Sequence, residues 1–336
     1  MKARKESFPH SEYVNALRCQ LPSRAFAAAP QKLWMVLGHL IIVLASYLGI
    51  RYSPFIAYDA LLSLVIAHSF ICIAFLAHEL SHNAIIRNRS IRYPLEVLLW
   101  GLNAIPATMW QRLHNHSHHI QGNTIRDPDR YFVKSELQPP GSPVRRWYAK
   151  LCFPHRSNPM WNPLVWFHFI TYIARHLIAF CYPGNRIPSI VTHKPAYTPP
   201  QRFRILIELV CIALLQYAIY EIVGARWQSF IWASPIALLF TSVFIMAYIW
   251  TNHYLHGLRE IHDPVGSSTS VIVHPFFDIL HCHFSYHTEH HIFPAMNSDY
   301  YPLVSDLLSE RYPDRYHRLP IREALRQVFQ NEQYID

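Results

Sequence analysis

Four stretches of at least 18 residues, Leu33–Ile50, Phe55–Ala77, Phe203–Val223 and Ser229–Trp250, are almost free of charge. About 20 mainly apolar residues, at 1.5 Å rise each, cross the hydrocarbon core of a bilayer as a helix. Inside lipid the backbone must satisfy its own hydrogen bonds, so these stretches predict an all-α integral membrane protein with four transmembrane helices. Only Arg51–Pro54 separates the first two, a connection that allows nothing but an antiparallel hairpin. The last two repeat the arrangement around a short turn containing Gly224 and Arg226, with Pro235 near the start of the second helix. Two further apolar stretches are weaker. Pro106 interrupts Leu95–Trp110, and Trp161–Tyr182 carries His168, Arg175 and His176, so both read as interfacial or re-entrant helices.

Charge supports a membrane body and orients it. Only 15% of the residues are charged, against roughly 25% in soluble domains. If the termini and the long Ser81–Arg202 connection share one side, that side holds 28 of the 30 lysines and arginines, leaving Arg51 and Arg226 opposite. The positive-inside rule makes that side the cytosol, in a bacterial inner membrane or an endoplasmic reticulum. The net charge of +9 accompanies no RNA-binding aromatic motif or DNA-reading helix, so no nucleic-acid partner is expected. Six cysteines without a CxxC pair predict neither a disulfide framework nor a cysteine zinc site. The basic start MKARKESFPH lacks the apolar stretch and cleavage site of a signal peptide. The expected organisation is therefore a cytosolic arm over 1–32, a membrane domain over 33–294 with spans 33–50, 55–77, 203–223 and 229–250, and a cytosolic tail over 295–336. Pro139–Pro143 and Lys194–Pro200 read as Pro-rich surface loops.

Histidine placement carries the function. The chain has 23 histidines, and most of the dense groups lie just beyond the ends of apolar stretches. His78-Glu79-Leu80-Ser81-His82 puts two imidazoles at i and i+4 on one helix face. In His114-Asn115-His116-Ser117-His118-His119 the pair His114 and His118 has the same spacing, and His119, turned by about 100°, can reach a second metal. His116 competes with His114 from another helical phase. In His287-Thr288-Glu289-His290-His291, His287 and His291 share a face and His290 lies one residue round. Asn252 and His256, directly after Trp250, are again at i and i+4. Eight histidines in the boxes plus His256 exceed the needs of one four-coordinate zinc and suit two metals of higher coordination number. Imidazole alone leaves the metal open among Zn, Cu, Fe and Ni. Isolated helix histidines such as His39 and His68 read as satisfied structural residues.

Two other classes compete for the same residues. HELSH satisfies HExxH, in which Glu79 would be the general base of an intramembrane zinc protease. That reading leaves His114–His119 and His287–His291 without a role. A membrane haem or metal-transport protein would place its histidines within the spans rather than beyond their ends.

With HELSH, HNHSHH and HTEHHIFP in hand, the chain resembles the membrane fatty acid desaturases and related histidine-box di-iron oxygenases, over roughly Leu33–Pro294. Asp127 and Asp129 after the second box are similar too, as is the Asn252…His256 spacing. The resemblance implies a four-helix bundle in two hairpins, with interfacial helices, under a cytosolic cap that holds two irons without a bridging carboxylate. It carries iron ligation onto His78, His82, His114, His118, His119, His256, His287, His290 and His291, with Asn252 as a water-mediated or weak ligand. The second box departs from the usual HxxHH, since three residues separate His114 from the final pair. No His-Pro-Gly-Gly haem motif occurs. Electrons would therefore come from a separate ferredoxin, rubredoxin or cytochrome b5 type donor with its reductase.

The resemblance further implies O₂-dependent removal of hydrogen from an unactivated CH₂ of a fatty acyl chain. The outcome is a double bond or, in hydroxylases of the same superfamily, an alcohol; the cofactor carries the hard chemistry and the protein supplies position. Glu79, Glu289, Asp127, Asp129 and Asp263 are candidate acceptors for imidazole N–H groups. Trp100, Trp110, Trp250 and Phe284 are candidates to line an acyl tunnel or to form an interfacial belt. The basic segments Arg87–Arg92 and Arg145–Arg156 would suit an acyl carrier protein, the phosphates of CoA, or lipid headgroups.

Overall fold

A computed structural model describes residues 7–128, 143–182 and 196–330. Asp129, most of the Pro139–Pro143 loop and the start of Lys194–Pro200 lie outside the described residues. A short helix α1 (His10–Leu17) precedes the first hairpin, α2 (Leu33–Arg51) and α3 (Ile56–Ser81). Then come α4 (Arg89–Leu102), α5 (Ala107–Leu113), α6 (Pro143–Cys152) and α7 (His168–Cys181). The second hairpin is α8 (Pro199–Ile222) and α9 (Trp227–His253). A two-stranded parallel sheet, β1 (Ser270–Ile272) with β2 (Arg318–Pro320), pairs Val271 with Leu319. Around it lie α10 (Pro275–Leu280), α11 (His287–Ile292), α12 (Tyr301–Arg311) and α13 (Ile321–Gln330).

The helices α2, α3, α8 and α9 are long and apolar enough to cross a membrane. Their surfaces say the same. Trp34, Ile41, Leu44 and Leu48 on α2, and Phe203, Val210, Leu214 and Tyr217 on α8, stand exposed, an arrangement tolerated when the surrounding solvent is lipid. Helix α3 is the central element, packed on α2, α4 and α9, and it is buried without a break from Ser69 to His82.

Local chemistry explains the boundaries. Thr198 and Gln201 form a capping box, with Pro199 and Pro200 in the first helical positions where a missing N–H costs little. Pro235 falls in a π-turn at Trp232–Ile236, which absorbs the bond it cannot donate. Gly224 at φ +92° makes the tight turn between α8 and α9. Arg226 Nη2 donates to Arg51 O at 2.6 Å and Arg51 Nη1 to Ile222 O at 3.2 Å, which ties the two hairpin turns together at one end of the bundle.

The other end is a layered cap. The two weaker apolar stretches fold as broken helices: in the first the chain turns between α4 and α5, with Ala104 in the left-handed region (φ +57°) and Pro106 capping α5. The buried carboxylate of Glu208 on α8 accepts from Thr108 N (2.9 Å), Thr108 Oγ1 (2.6 Å) and Tyr93 Oη (2.8 Å). That clamp fixes α5 and the second histidine box behind it. The N-terminal segment is packed into the cap, since Tyr13, Leu17 and Leu21 share a core with Ile292, Phe293, Tyr301 and Leu308. Asp263, fully buried, holds that core together. It accepts from Tyr13 Oη (2.9 Å), Arg315 Nη2 (2.7 Å), Gly266 N (2.9 Å) and Phe8 N (3.3 Å).

Candidate metal centre

Nine imidazoles meet where the ends of α3 and α9 enter the cap. They form two clusters: His78, His82, His114, His119 and His290 in one, and His118, His253, His287 and His291 in the other. Within the first, Nε2 of His114 lies 2.9 Å from that of His78 and 3.1 Å from that of His119, and His290 Nε2 lies 3.0 Å from His119 Nε2. Within the second, His253 Nε2 is 3.1 Å from His118 Nε2 and 2.6 Å from His287 Nε2, and His291 Nε2 is 3.1 Å from His287 Nε2.

These contacts fit metal ligands better than hydrogen bonds. A neutral imidazole has one N–H, and two of these rings, His118 and His290, use Nδ1 elsewhere. His118 Nδ1 donates to the carboxylate of Asp127 (3.0 Å), so its Nε2 carries a lone pair. His290 Nδ1 is 3.0 Å from Tyr301 Oη. Burial, and next the mutual repulsion of the rings, hold His114, His119, His287, His290 and His291 well below the ordinary histidine value. His82 is held down by burial first and His78 second. Converging lone pairs repel unless a cation takes them. Ligand nitrogens about 2.1 Å from a common ion stand about 3.0 Å apart at right angles and about 3.4 Å apart in a tetrahedron. The contacts near 3 Å are in the range of nitrogens that share an ion, and the first cluster offers five donors, the second four.

The boxes contribute in a phase that regular helix periodicity misassigns. His114–His118 is a π-turn, and the His119 N–H bonds to His114 O, five residues back. That wider turn brings His119 over His114, so these two share the first cluster and His118 turns to the second. The expected pairing of His114 with His118 is corrected accordingly. His116 points away, exposed, beside Arg112. In the third box the α-helical phase holds, with His287 and His291 together and His290 in the other cluster.

The largest difference concerns Asn252 and His256. Helix α9 ends at His253, so the i, i+4 argument joining these two does not apply. His256 lies outside both clusters, with Nε2 at 2.7 Å from Thr269 Oγ1 and its ring beside His317. His253 takes the place foreseen for it. A signal was present, because His253 continues the stripe Ile245, Ile249 that faces the same pocket. Asn252 is fully buried, and neither side-chain amide atom has a partner among the described residues.

Of the candidate carboxylates, Asp127 is the one hydrogen-bonded to a cluster imidazole among the described residues. Asn123 N (2.7 Å) holds its other oxygen. Glu79 Oε1 stands 3.7 Å from His78 Nδ1, and Lys32 Nζ is 3.9 Å from Oε2, so this carboxylate faces a lysine rather than an open water site. Glu289 accepts from Ser270 Oγ (2.5 Å) and from Tyr316 Oη, and Asp263 serves the arm; both stitch the cap rather than the rings. Asp127→Asn is expected to weaken metal binding at the four-histidine cluster about 10–100-fold, measured by metal titration of the purified protein.

A mainly apolar pocket lies against both clusters. His78, His114, His118, His253 and His287 form one wall, and Ala74, Phe75, Trp110, Phe169, Met246 and Phe284 form much of the rest. Trp100 also lines it, whereas Trp250 is buried behind it against His168.

A family model for fatty acid desaturases matches residues 56–323. The chain belongs to the fatty acid desaturase family. The match runs from α3 through all three histidine boxes into α13, and membership makes this desaturase-family chain an oxidoreductase of the membrane. No curated protein matches the chain at a significant level.

Proposed function

We propose that this family member introduces a double bond into a fatty acyl chain, carried on lipid, CoA or acyl carrier protein, in an O₂-dependent reaction at two irons. The observation that carries the reading is the juxtaposition of two all-imidazole clusters with a pocket lined mainly by apolar and aromatic side chains. His78, His82, His114, His119 and His290 would hold one iron; His118, His253, His287 and His291 would hold the other, with Asn252 next to it. The di-iron centre supplies the oxidising power that no ionisable side chain has toward an unactivated CH₂. The rest falls to the protein. Phe75, Trp110 and Phe284 exclude water and hold the chain against the imidazole wall, while Asp127 and Tyr301 fix the rings of His118 and His290.

On the positive-inside reading, cap and termini face the cytosol, where a ferredoxin, rubredoxin or cytochrome b5 type donor would deliver electrons. Arg89, Arg92, Arg112 and Arg204 gather round a polar pocket, chemistry that suits the acidic end of the acyl carrier or headgroup.

The test uses detergent-purified protein with a reductase system, O₂ and a deuterated acyl substrate. About two irons per chain, with O₂-dependent loss of deuterium and a product lighter by two hydrogens, supports the proposal. A product heavier by one oxygen makes the enzyme a hydroxylase, and one zinc with no O₂ uptake returns attention to the HExxH reading. Ala74 lies one turn before His78 on the pocket wall. Ala74→Phe is therefore expected to reduce turnover by at least about tenfold while iron content stays the same, a separation read by metal analysis beside product yield.

A further inference from the structure

Three donors outside the two clusters gather at the middle of α3. His68 and Cys72, at i and i+4, share a face of that helix, and His281 joins them from the turn after α10; their ligand atoms lie within 4.8 Å of one another. Cys72 is fully buried, His281 nearly so and His68 half-buried. The Nε2 atoms of both histidines are buried without a hydrogen-bond partner among the described residues. His281 Nδ1 is 2.8 Å from Tyr248 Oη, which orients the ring and points its other nitrogen at the group. His39 on α2 is close enough to both rings to interact with them electrostatically, and its Nδ1 is likewise buried and unpartnered. Orphaned ring nitrogens beside a thiol are unfavourable in such surroundings unless something accepts their lone pairs.

We propose that His68, Cys72 and His281 form a third metal site, for one thiophilic divalent cation of the zinc class. Thiolate with imidazole is the donor set that zinc prefers, and the histidine clusters contain no sulfur. Binding breaks the Cys72 S–H bond, forms a sulfur–metal bond and releases one proton to solvent, with no change of oxidation state. The site is separate from the histidine clusters. Cys72 precedes His78 by six residues, about 9 Å of helix rise, and the stacked rings of Phe75 and Phe284 (4.3 Å) stand between His281 and His78. The proposal does not depend on the acyl chemistry.

Cobalt(II) tests it on untagged, iron-loaded full-length protein, because only a thiolate ligand produces a sulfur-to-cobalt charge-transfer band. One equivalent should bind with that band, and zinc should displace it mole for mole. Cys72→Ser should abolish the band and His281→Ala should weaken cobalt binding at least tenfold, both with histidine-bound iron retained; Cys282→Ser should keep the band. Should Cys72→Ser fail to fold, His68→Gln at its half-exposed position takes its place, with the same loss of affinity expected. Absence of the band in the native protein, its survival in Cys72→Ser, or unaltered affinity in His68→Gln overturns the assignment.

Discussion

On the proposed di-iron reading, replacing His290 with alanine is expected to abolish acyl oxidation and to strip iron from the protein. His290 Nε2 stands 3.0 Å from His119 Nε2, and its ring centroid lies 4.4 Å from that of His78, so it closes the five-histidine cluster from the cap side. Tyr301 holds the opposite nitrogen, which makes the ring a prepositioned ligand rather than a mobile one. Residues that merely orient ligands are worth about 10–100-fold, and loss of a ligand should exceed about 100-fold in turnover. The fold should survive, because removing His290 also removes a buried group whose neighbours repel its charged form. Iron per chain and product yield measured on the same preparation check the point. His116 is exposed and outside both clusters, so His116→Ala is expected to leave the iron content unchanged. Full iron and full activity in His290→Ala would overturn the five-ligand assignment.

The second large effect separates two neighbouring histidines. His253→Ala should lower iron from about two to about one per chain and eliminate turnover. His256→Ala should keep both irons. The imidazole of His253 bridges His118 and His287, whereas that of His256 meets Thr269 and lies in neither cluster. The opposite result, with iron lost from His256→Ala and retained in His253→Ala, would restore the Asn252…His256 pairing.

The contrast shows how far sequence periodicity reaches. His78 with His82, and His287 with His291, were legible because those boxes lie on ordinary α-helix, where i and i+4 share a face. The second box and the Asn252…His256 pair were misphased for two physical reasons. One segment is a π-turn, which shifts partnership from i+4 to i+5, and the other runs past the end of its helix. Neither the π-turn of the second box nor the helix end at His253 is marked by a Gly or Pro at that position; both follow from what the segment packs against. His68 and His281 illustrate the same limit. Each reads as an isolated polar residue in its own stretch, and only folding brings α10 back to α3.

The sequence by itself determined the membrane class, the four helices long and apolar enough to span, the pairing of hairpins and the family, because hydrophobic length and dense histidine boxes are local properties of the chain. Tertiary structure alone decided which imidazoles cluster together, that His253 joins them, and that the N-terminal segment packs into the cap. It also decided that Asp127 supports a ring while Glu289 and Asp263 hold the cap together. Ligand sets depend on donor atoms converging to about 3 Å from segments far apart in sequence. That convergence is set by how helices terminate and pack, not by their hydrophobic pattern.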